Sequence, residues 1–313
     1  MVTYHSPEGV WSGWSTLPGR HSLDDSRRSQ KGTLPLMLER LRNLRGTPPA
    51  GRPDPRELQV SLRLLTAAYR AGSSLPNFRD AGFRIHSQND EDGILHLIFS
   101  ILGAAGLAVE IGCGDGVENN TTNLIVNQGW HGLLIDADPA NIASARAFFT
   151  RCKDTSIFPP AIRRRVVTSE NVNEVVSGFE GEIDLLSLDI DSIDYWVLNA
   201  LTAVNPRVIV AETPTIWGPE FARSVPNDPR WNFSANPDFY GASLGAFDKL
   251  LRTRGYRFVG TSKYGTNSFF IRRGLGEDAF PAANLKEGFR HPRAMEGIIS
   301  RSQRSQHLPW VDV

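Results

Sequence analysis

Cysteine is nearly absent from this 313-residue chain: only Cys113 and Cys152 occur. Two thiols can form neither a disulfide framework nor a four-thiolate metal site, which points to a reducing compartment, with the cytoplasm as the expectation. Net charge is absent as well. The 34 Lys and Arg balance 34 Asp and Glu, so no global field favours duplex nucleic acid or an anionic membrane. Long apolar runs are also missing. The longest, Leu95 to Val109, is interrupted by His96, Ser100, Gly103 and Gly106 and falls short of the roughly 20 residues a membrane span needs. Met1 to Pro18 holds no apolar core of signal-peptide length, and no internal repeat is visible. A composition of 40% hydrophobic and 22% charged residues suits a globular protein with a sizeable core.

Residues 1 to 55 are rich in Gly, Pro, Ser and Arg, with one short apolar helix candidate at Leu34 to Leu44, and read as an arm. Leu58, Leu62, Leu65 and Tyr69 recur at helical spacing behind Pro55, which predicts a helix over about 57 to 71. From His86 onward short β-rich runs alternate with helical segments, the signature of a parallel sheet with crossover helices. Strands are expected at 107–112, 132–136, 164–167, 184–190, 208–212, 256–261 and 267–272. Helices are expected at 91–102, 118–127, 140–150, 171–179, 195–204 and 243–254. A loop over about 214–240, too long for a connector, is the expected substrate carrier, and the residues from Gly274 read as an irregular tail. The domain reading is an N-terminal arm and cap over 1–82, a catalytic domain over 83–273 and a C-terminal tail over 274–313.

Chemistry concentrates at three strand ends. Glu110-Ile111-Gly112-Cys113-Gly114-Asp115-Gly116 closes an apolar strand with an acid and three glycines at a spacing of two, which lets a ligand approach the backbone closely. A dinucleotide site would want G-x-G-x-x-G; the G-x-G-x-G spacing with a preceding acid favours S-adenosylmethionine, with Glu110, Gly112, Gly114 and Asp115 around it. At the next strand end Asp136 is placed to accept both hydroxyls of a ribose. At the fourth, Asp189, Asp191 and Asp194 fall within six residues, with Glu212 on the adjacent strand end. Asp194 reads as the N-cap of the following helix. Asp189 and Asp191 are the candidate bases, and Asp189 borders the cofactor as well. Uncompensated carboxylates at Asp189, Asp191 and Glu212 invite a hard cation, Mg²⁺ or Ca²⁺ rather than zinc. His86 and His131 are further candidate bases; Asn119, Asn120 and Asn123 either touch ligand or cap a helix. Trp217, Trp231, Phe233, Phe239 and Tyr240 either cover an acceptor or pin their loop.

From Ser87-Gln88-Asn89-Asp90-Glu91-Asp92-Gly93-Ile94 through VEIGCGDGVENNTTNL, GWHGLLIDADP and DLLSLDIDSIDYW to YGASLGAFDKL and TNSFFI, the chain resembles an FkbM-related branch of the class I SAM-dependent methyltransferases. The resemblance covers some 60% of the sequence, His86 to Arg273. It implies an α/β, Rossmann-like fold: a seven-stranded, mostly parallel sheet in the order 3-2-1-4-5-7-6, helices on both faces, and the seventh strand antiparallel. It further implies that Glu110 and Gly112 border the methionine part of the cofactor, that Asp136 holds the ribose and that Glu170 and Asn171 flank adenine. Magnesium, used by some macrolide-sugar O-methyltransferases that the site resembles, would hold acceptor hydroxyls. Where the branch has D-G-N-D-Y and E-Y-N, this chain has Asp191-Ser192-Ile193-Asp194-Tyr195 and Glu212-Thr213-Pro214, so its departures fall on the acceptor side. The expected activity is O-methylation of a small-molecule hydroxyl in a sugar or secondary metabolite, with a nitrogen acceptor as the variant. The alternatives are a different reaction on the same cofactor, such as cyclisation of its aminobutyryl arm, or a cofactor-binding regulatory subunit without turnover. A small-molecule acceptor is the expected partner, with no nucleic acid and no membrane, and homo-oligomerisation is compatible with the reading.

Overall fold

The computed structural model describes residues 54–313; the arm and its Leu34 to Leu44 helix candidate lie outside the described residues. Asp54 caps helix α1 (Pro55–Arg70) by accepting the Arg56 N–H, and proline in the first turn has no N–H to waste there. Helix α1 buries Leu62 and Thr66 against α3 (Glu91–Leu102), which follows the single turn α2 (Phe78–Ala81). Every α3 residue from Glu91 to Phe99 is buried. The acids that open α3 cap its entry: Asp92 Oδ2 accepts the N–H groups of Ile85, His86 and Ser87, and Glu91 accepts from Asn89 and Asn267.

The sheet comprises β1 (Leu107–Ile111), β2 (His131–Asp136), β3 (Ala161–Arg164), β4 (Gly181–Leu188), β5 (Val204–Glu212), β6 (Tyr256–Thr261) and β7 (Asn267–Arg272). Its order is β3-β2-β1-β4-β5-β7-β6, with β1 to β5 parallel and β7 antiparallel to both neighbours. This is the α/β, class I methyltransferase sheet that the sequence led us to expect. Val109, Ile111, Leu133, Leu186 and Ile209 feed one core layer; Ala108, Leu134, Leu185, Val208 and Val210 feed the other. Strands covered on both faces read as continuous apolar runs rather than alternating ones. Crossovers are made by α4 (Thr122–Gln128), α5 (Pro139–Arg151), the single turn α6 (Val172–Val175), α7 (Asp194–Ala200) and α8 (Leu244–Thr253). The order reverses between β1 and β4, and a ligand crevice is expected outside the carboxyl ends of those strands.

Several buried strand residues break the apolar rule, and Asp184 does so as half of an ion pair. Asp184 is 2% exposed, pairs with Arg207 at 2.7 Å and accepts the N–H groups of Gly106 and Leu107. Removing one partner of a buried ion pair strands the other, so Asp184→Ala is expected to lower unfolding stability by roughly 3 kcal/mol; an unchanged urea midpoint would refute this.

Two expectations need correction. The third strand lies at Ala161–Arg164 rather than 164–167, because Leu133 pairs with Ala161 and Asp136 with Arg164; Val167 turns into the core beyond the strand end. The tail is not irregular: a 3₁₀ turn (Leu285–Phe289) leads to α9 (Pro292–Ser305), and Val311–Asp312 pairs with Arg223–Ser224 in a two-residue ribbon. Helix α9 fully buries only small side chains, Ala294 and Ser305, while Met295 and Ile299 remain exposed, so its apolar residues do not announce a core-facing helix. No helix among the described residues is long and apolar enough to cross a membrane.

Candidate active site

The loop after β1 is tied to both neighbouring strands. The N–H groups of Gly112 and Cys113 donate to the Ile135 carbonyl, and the Asp189 N–H donates to that of Ile111. Its three glycines answer to different demands. A Cβ on Gly112 would lie 1.5 Å from the Asp189 carbonyl oxygen, and one on Gly116 would lie 2.5 Å from Ala145 Cβ on α5. Those two are imposed by packing. Gly114, at φ +54, would meet nothing closer than the Glu118 oxygen at 3.9 Å, so it alone borders open space.

Gly114 is also the residue held by Asp136, whose Oδ2 accepts its N–H at 2.9 Å. Asp136 Oδ1 accepts from Asp138 N–H and Asn141 Nδ2. Oδ2, with one donor, keeps more acceptor capacity than Oδ1, with two, so it is the oxygen better placed to take a ribose hydroxyl. Asp115 Oδ1 accepts from Val117 and Glu118, which fixes the loop's exit. Asn171 is likewise engaged at both ends, accepting from Thr168 N–H and donating to the Val166 carbonyl.

Glu110 lies beneath the loop. Its Oε1 accepts from Asn120 N–H and the Ser187 hydroxyl, and Asn120 Nδ2 donates to that hydroxyl. Its Oε2 is buried without a hydrogen bond. Burial pushes the Glu110 carboxyl up to about 7 against the opposing donors. Asn119 Oδ1 accepts from the Thr121 and Thr122 N–H groups and so fixes the turn that enters α4, whose N-cap position is Thr121. Ser187 was not singled out from the sequence; its only signal is a hydroxyl amid the apolar run Leu185-Leu186-Ser187-Leu188.

On the other side of β1, Asp189, Asp191 and Glu212 each bring a carboxylate oxygen within 4.8 Å of the other two. Asp194 is buried and does not cap α7, whose N-cap is Ile193. Its two oxygens accept from Ile190 and Ser192 N–H, so it locks the turn that carries Asp191. That turn is unusual: Asp191 has φ +54, the sole non-glycine residue among those described with a positive φ, a conformation Asp tolerates better than most. Burial, then the Asp194 and Asp191 charges, raise the Asp189 carboxyl well above the ordinary range; burial, then Asp189 and Asp191, do the same to Glu212. Burial raises Asp191 as well. Glu212 Oε1 accepts the Tyr240 hydroxyl, whereas its Oε2 is buried without a donor. The adjacent Asp189 carboxyl can supply one only by keeping a proton.

The 214–240 loop wraps this cluster. Phe233 N–H donates to the Asp191 carbonyl, Gly241 N–H to that of Ser192, and the Ser192 hydroxyl to that of Trp231. Trp217, Phe239 and Tyr240 are buried and pin the loop, while Phe233 is 45% exposed. The C-terminal segment braces it from behind: Trp310 packs edge-on against Trp217 and Phe239, and Arg301 and Arg304 pair with Asp238. His86 Nδ1 is bonded to the Val117 carbonyl, and His131 stacks on Phe179 at the start of β2, the sheet end opposite the acids.

No family model matches the chain, and no curated protein matches it. Solved structures similar to it include the O-methyltransferase from Bacillus cereus in complex with SAH, at 15% identity and TM-score 0.39 over 71% of this chain and 92% of that one. A methyltransferase from Geobacter sulfurreducens has 16% identity and TM-score 0.39 over 75% and 96%. Monomeric WbdD has 17% identity and TM-score 0.34 over 71% of this chain, which spans 42% of the WbdD chain. At such values these likenesses assign neither activity nor substrate, and the functional reading rests on the geometry above.

Proposed function

We propose that the chain is a SAM-dependent methyltransferase of the FkbM-related branch, acting on a hydroxyl of a small molecule such as a sugar or secondary metabolite. The observation that carries this is the union of Gly114 and Asp136: an open glycine whose N–H is held by a β2-end carboxylate with acceptor capacity to spare, in the crevice where the strand order reverses. Glu110, Gly112 and Gly114 would surround the methionine part and Asp136 one ribose hydroxyl; Asn171 would act through the shape of its turn. The cofactor, when bound, supplies a methyl group on a sulfonium that needs little activation, so the protein's work is alignment, exclusion of water and removal of the acceptor proton. The acceptor proton would pass to Asp189 or Asp191, whichever is ionised when the acceptor binds; burial raises both carboxyls, the direction that favours taking up a proton. The three carboxylates, one oxygen of each within 4.8 Å of the others, would also hold Mg²⁺, which would lower the pKa of a bound hydroxyl.

Asp136→Ala is expected to weaken S-adenosylhomocysteine binding by the value of a charge-assisted contact, roughly 1.5–3 kcal/mol; unchanged affinity by calorimetry would sink the cofactor assignment. Mg²⁺ is expected to raise the melting temperature of the protein and not that of Asp189→Asn. Turnover that survives chelation while Asp189→Asn abolishes it would show that the acid works alone.

A further inference from the structure

We propose that a cavity between α1 and α3, at the end of the sheet opposite the acids, binds a small aromatic anion. Its volume is about 540 Å³, within the range of small-molecule sites. Residues from just before β1 and β2 close it, which places it at the amino ends of those strands. Thr66, His96, Phe99 and Trp130 form a floor, each 8% exposed or less. Phe99 and Trp130 meet edge to face with centroids 4.7 Å apart, so beside the polar Thr66 and His96 the floor has an aromatic part suited to a flat ring. The rim is cationic. Arg63 and Arg70 of α1 are exposed at the mouth, no Asp or Glu lines the cavity, and neither arginine has an ion-pair partner among the described residues. Arg70 makes only a long contact, 3.4 Å, to the Ser100 carbonyl. His96 reports the same field: bonded through Nδ1 to Gln128, it is held below the usual histidine range by burial and then by the Arg63 charge.

A ring on Phe99 and Trp130 with an anionic group between the two guanidinium forks satisfies both parts of the cavity at once. A carboxylate and a phosphate share this chemistry. The site is independent of the methyltransferase reading, and its test needs no turnover.

Phenyl phosphate and benzoate, titrated separately by calorimetry, distinguish the two anions; binding by either one supports the site and identifies the group. Saturable binding is expected, at least tenfold weaker for benzyl alcohol, which keeps the ring without the charge. Arg63→Gln/Arg70→Gln, on the exposed face of α1, should keep its melting temperature and lose at least tenfold in affinity. Trp130→Phe should bind with similar heat but without the change in indole emission that the unaltered protein shows. The proposal is overturned by no saturable binding of either anion up to about 10 mM, by equal affinity for benzyl alcohol, or by binding that the arginine pair leaves unchanged.

Discussion

Gly112→Ala is expected to leave no folded protein, whereas Gly114→Ala, two residues on, folds and loses S-adenosylhomocysteine binding. The two positions look alike in sequence and differ in what a methyl group would meet. At Gly112 the added carbon would overlap the Asp189 carbonyl oxygen at 1.5 Å, with φ +91 adding backbone strain. Relief would require β1 and β4 to separate at the Asp189 N–H to Ile111 carbonyl bond, in the middle of the sheet. Overpacking ordinarily costs about 1–3 kcal/mol and strain about 1–3 kcal/mol more, but a carbon 1.5 Å from a backbone oxygen is an overlap that no side-chain shift relieves, so the loss is expected to exceed that sum and to reach the roughly 5–15 kcal/mol of a domain's whole stability. At Gly114 the nearest atom is 3.9 Å away, so the cost is that of a left-handed residue, about 1–2 kcal/mol, and the new methyl group occupies the proposed ligand space. Circular dichroism and calorimetry on the pair check both outcomes; a folded Gly112→Ala, or a Gly114→Ala that binds normally, contradicts the account.

Lowering the pH from about 8 to about 5.5 is expected to stabilise the ligand-free protein. The sign follows from proton linkage: a carboxyl whose folded-state pKa is raised keeps a proton that the unfolded chain releases, so stability falls as pH rises from the ordinary carboxylate value through the folded one. Glu110 rises from 4.5 to about 7 and Asp194 from 3.8 to about 6, both by burial, and Asp189 and Glu212 shift the same way. At about 1.4 kcal/mol per pKa unit, the roughly 1.5 units between pH 5.5 and the folded value of about 7 make Glu110 alone account for roughly 2 kcal/mol across that window. His96, depressed by burial and Arg63, works in the opposite direction but is a single group. Thermal melts against pH should show the slope, and Glu110→Gln should flatten it. A profile that rises with pH over this range would show that the cluster does not hold its protons.

How much of this could be read beforehand depends on the range of the forces involved. Helix α3 and strands β6 and β7 were legible to the residue because an apolar period, or a β-rich run between turn residues, is written locally. Helix α9 was not, since its buried face is Ala294 and Ser305 and its partner is the distant 214–240 loop. The three acids were legible as a crowd, and the structure places Asp189, Asp191 and Glu212 together. Their division of labour was not: nothing local tells that Asp194 turns back to the Ile190 and Ser192 N–H groups rather than forward to a helix. The same holds for the glycines, where only tertiary neighbours distinguish a packing glycine from one that borders open space.

The ribbon of Arg223–Ser224 with Val311–Asp312 fastens the C-terminal segment to the loop that walls the carboxylates. From Trp310 a line of contacts runs through Phe239, and from Arg301 another runs over the Tyr240 ring to Glu212, without touching the glycine loop or Asp136. Changes in the last twenty residues can therefore reshape the wall around the carboxylates while the Gly114 and Asp136 side of the crevice keeps its geometry. On the proposed function, acceptor choice can be altered from outside the sheet, at positions that a comparison restricted to the strand ends would pass over.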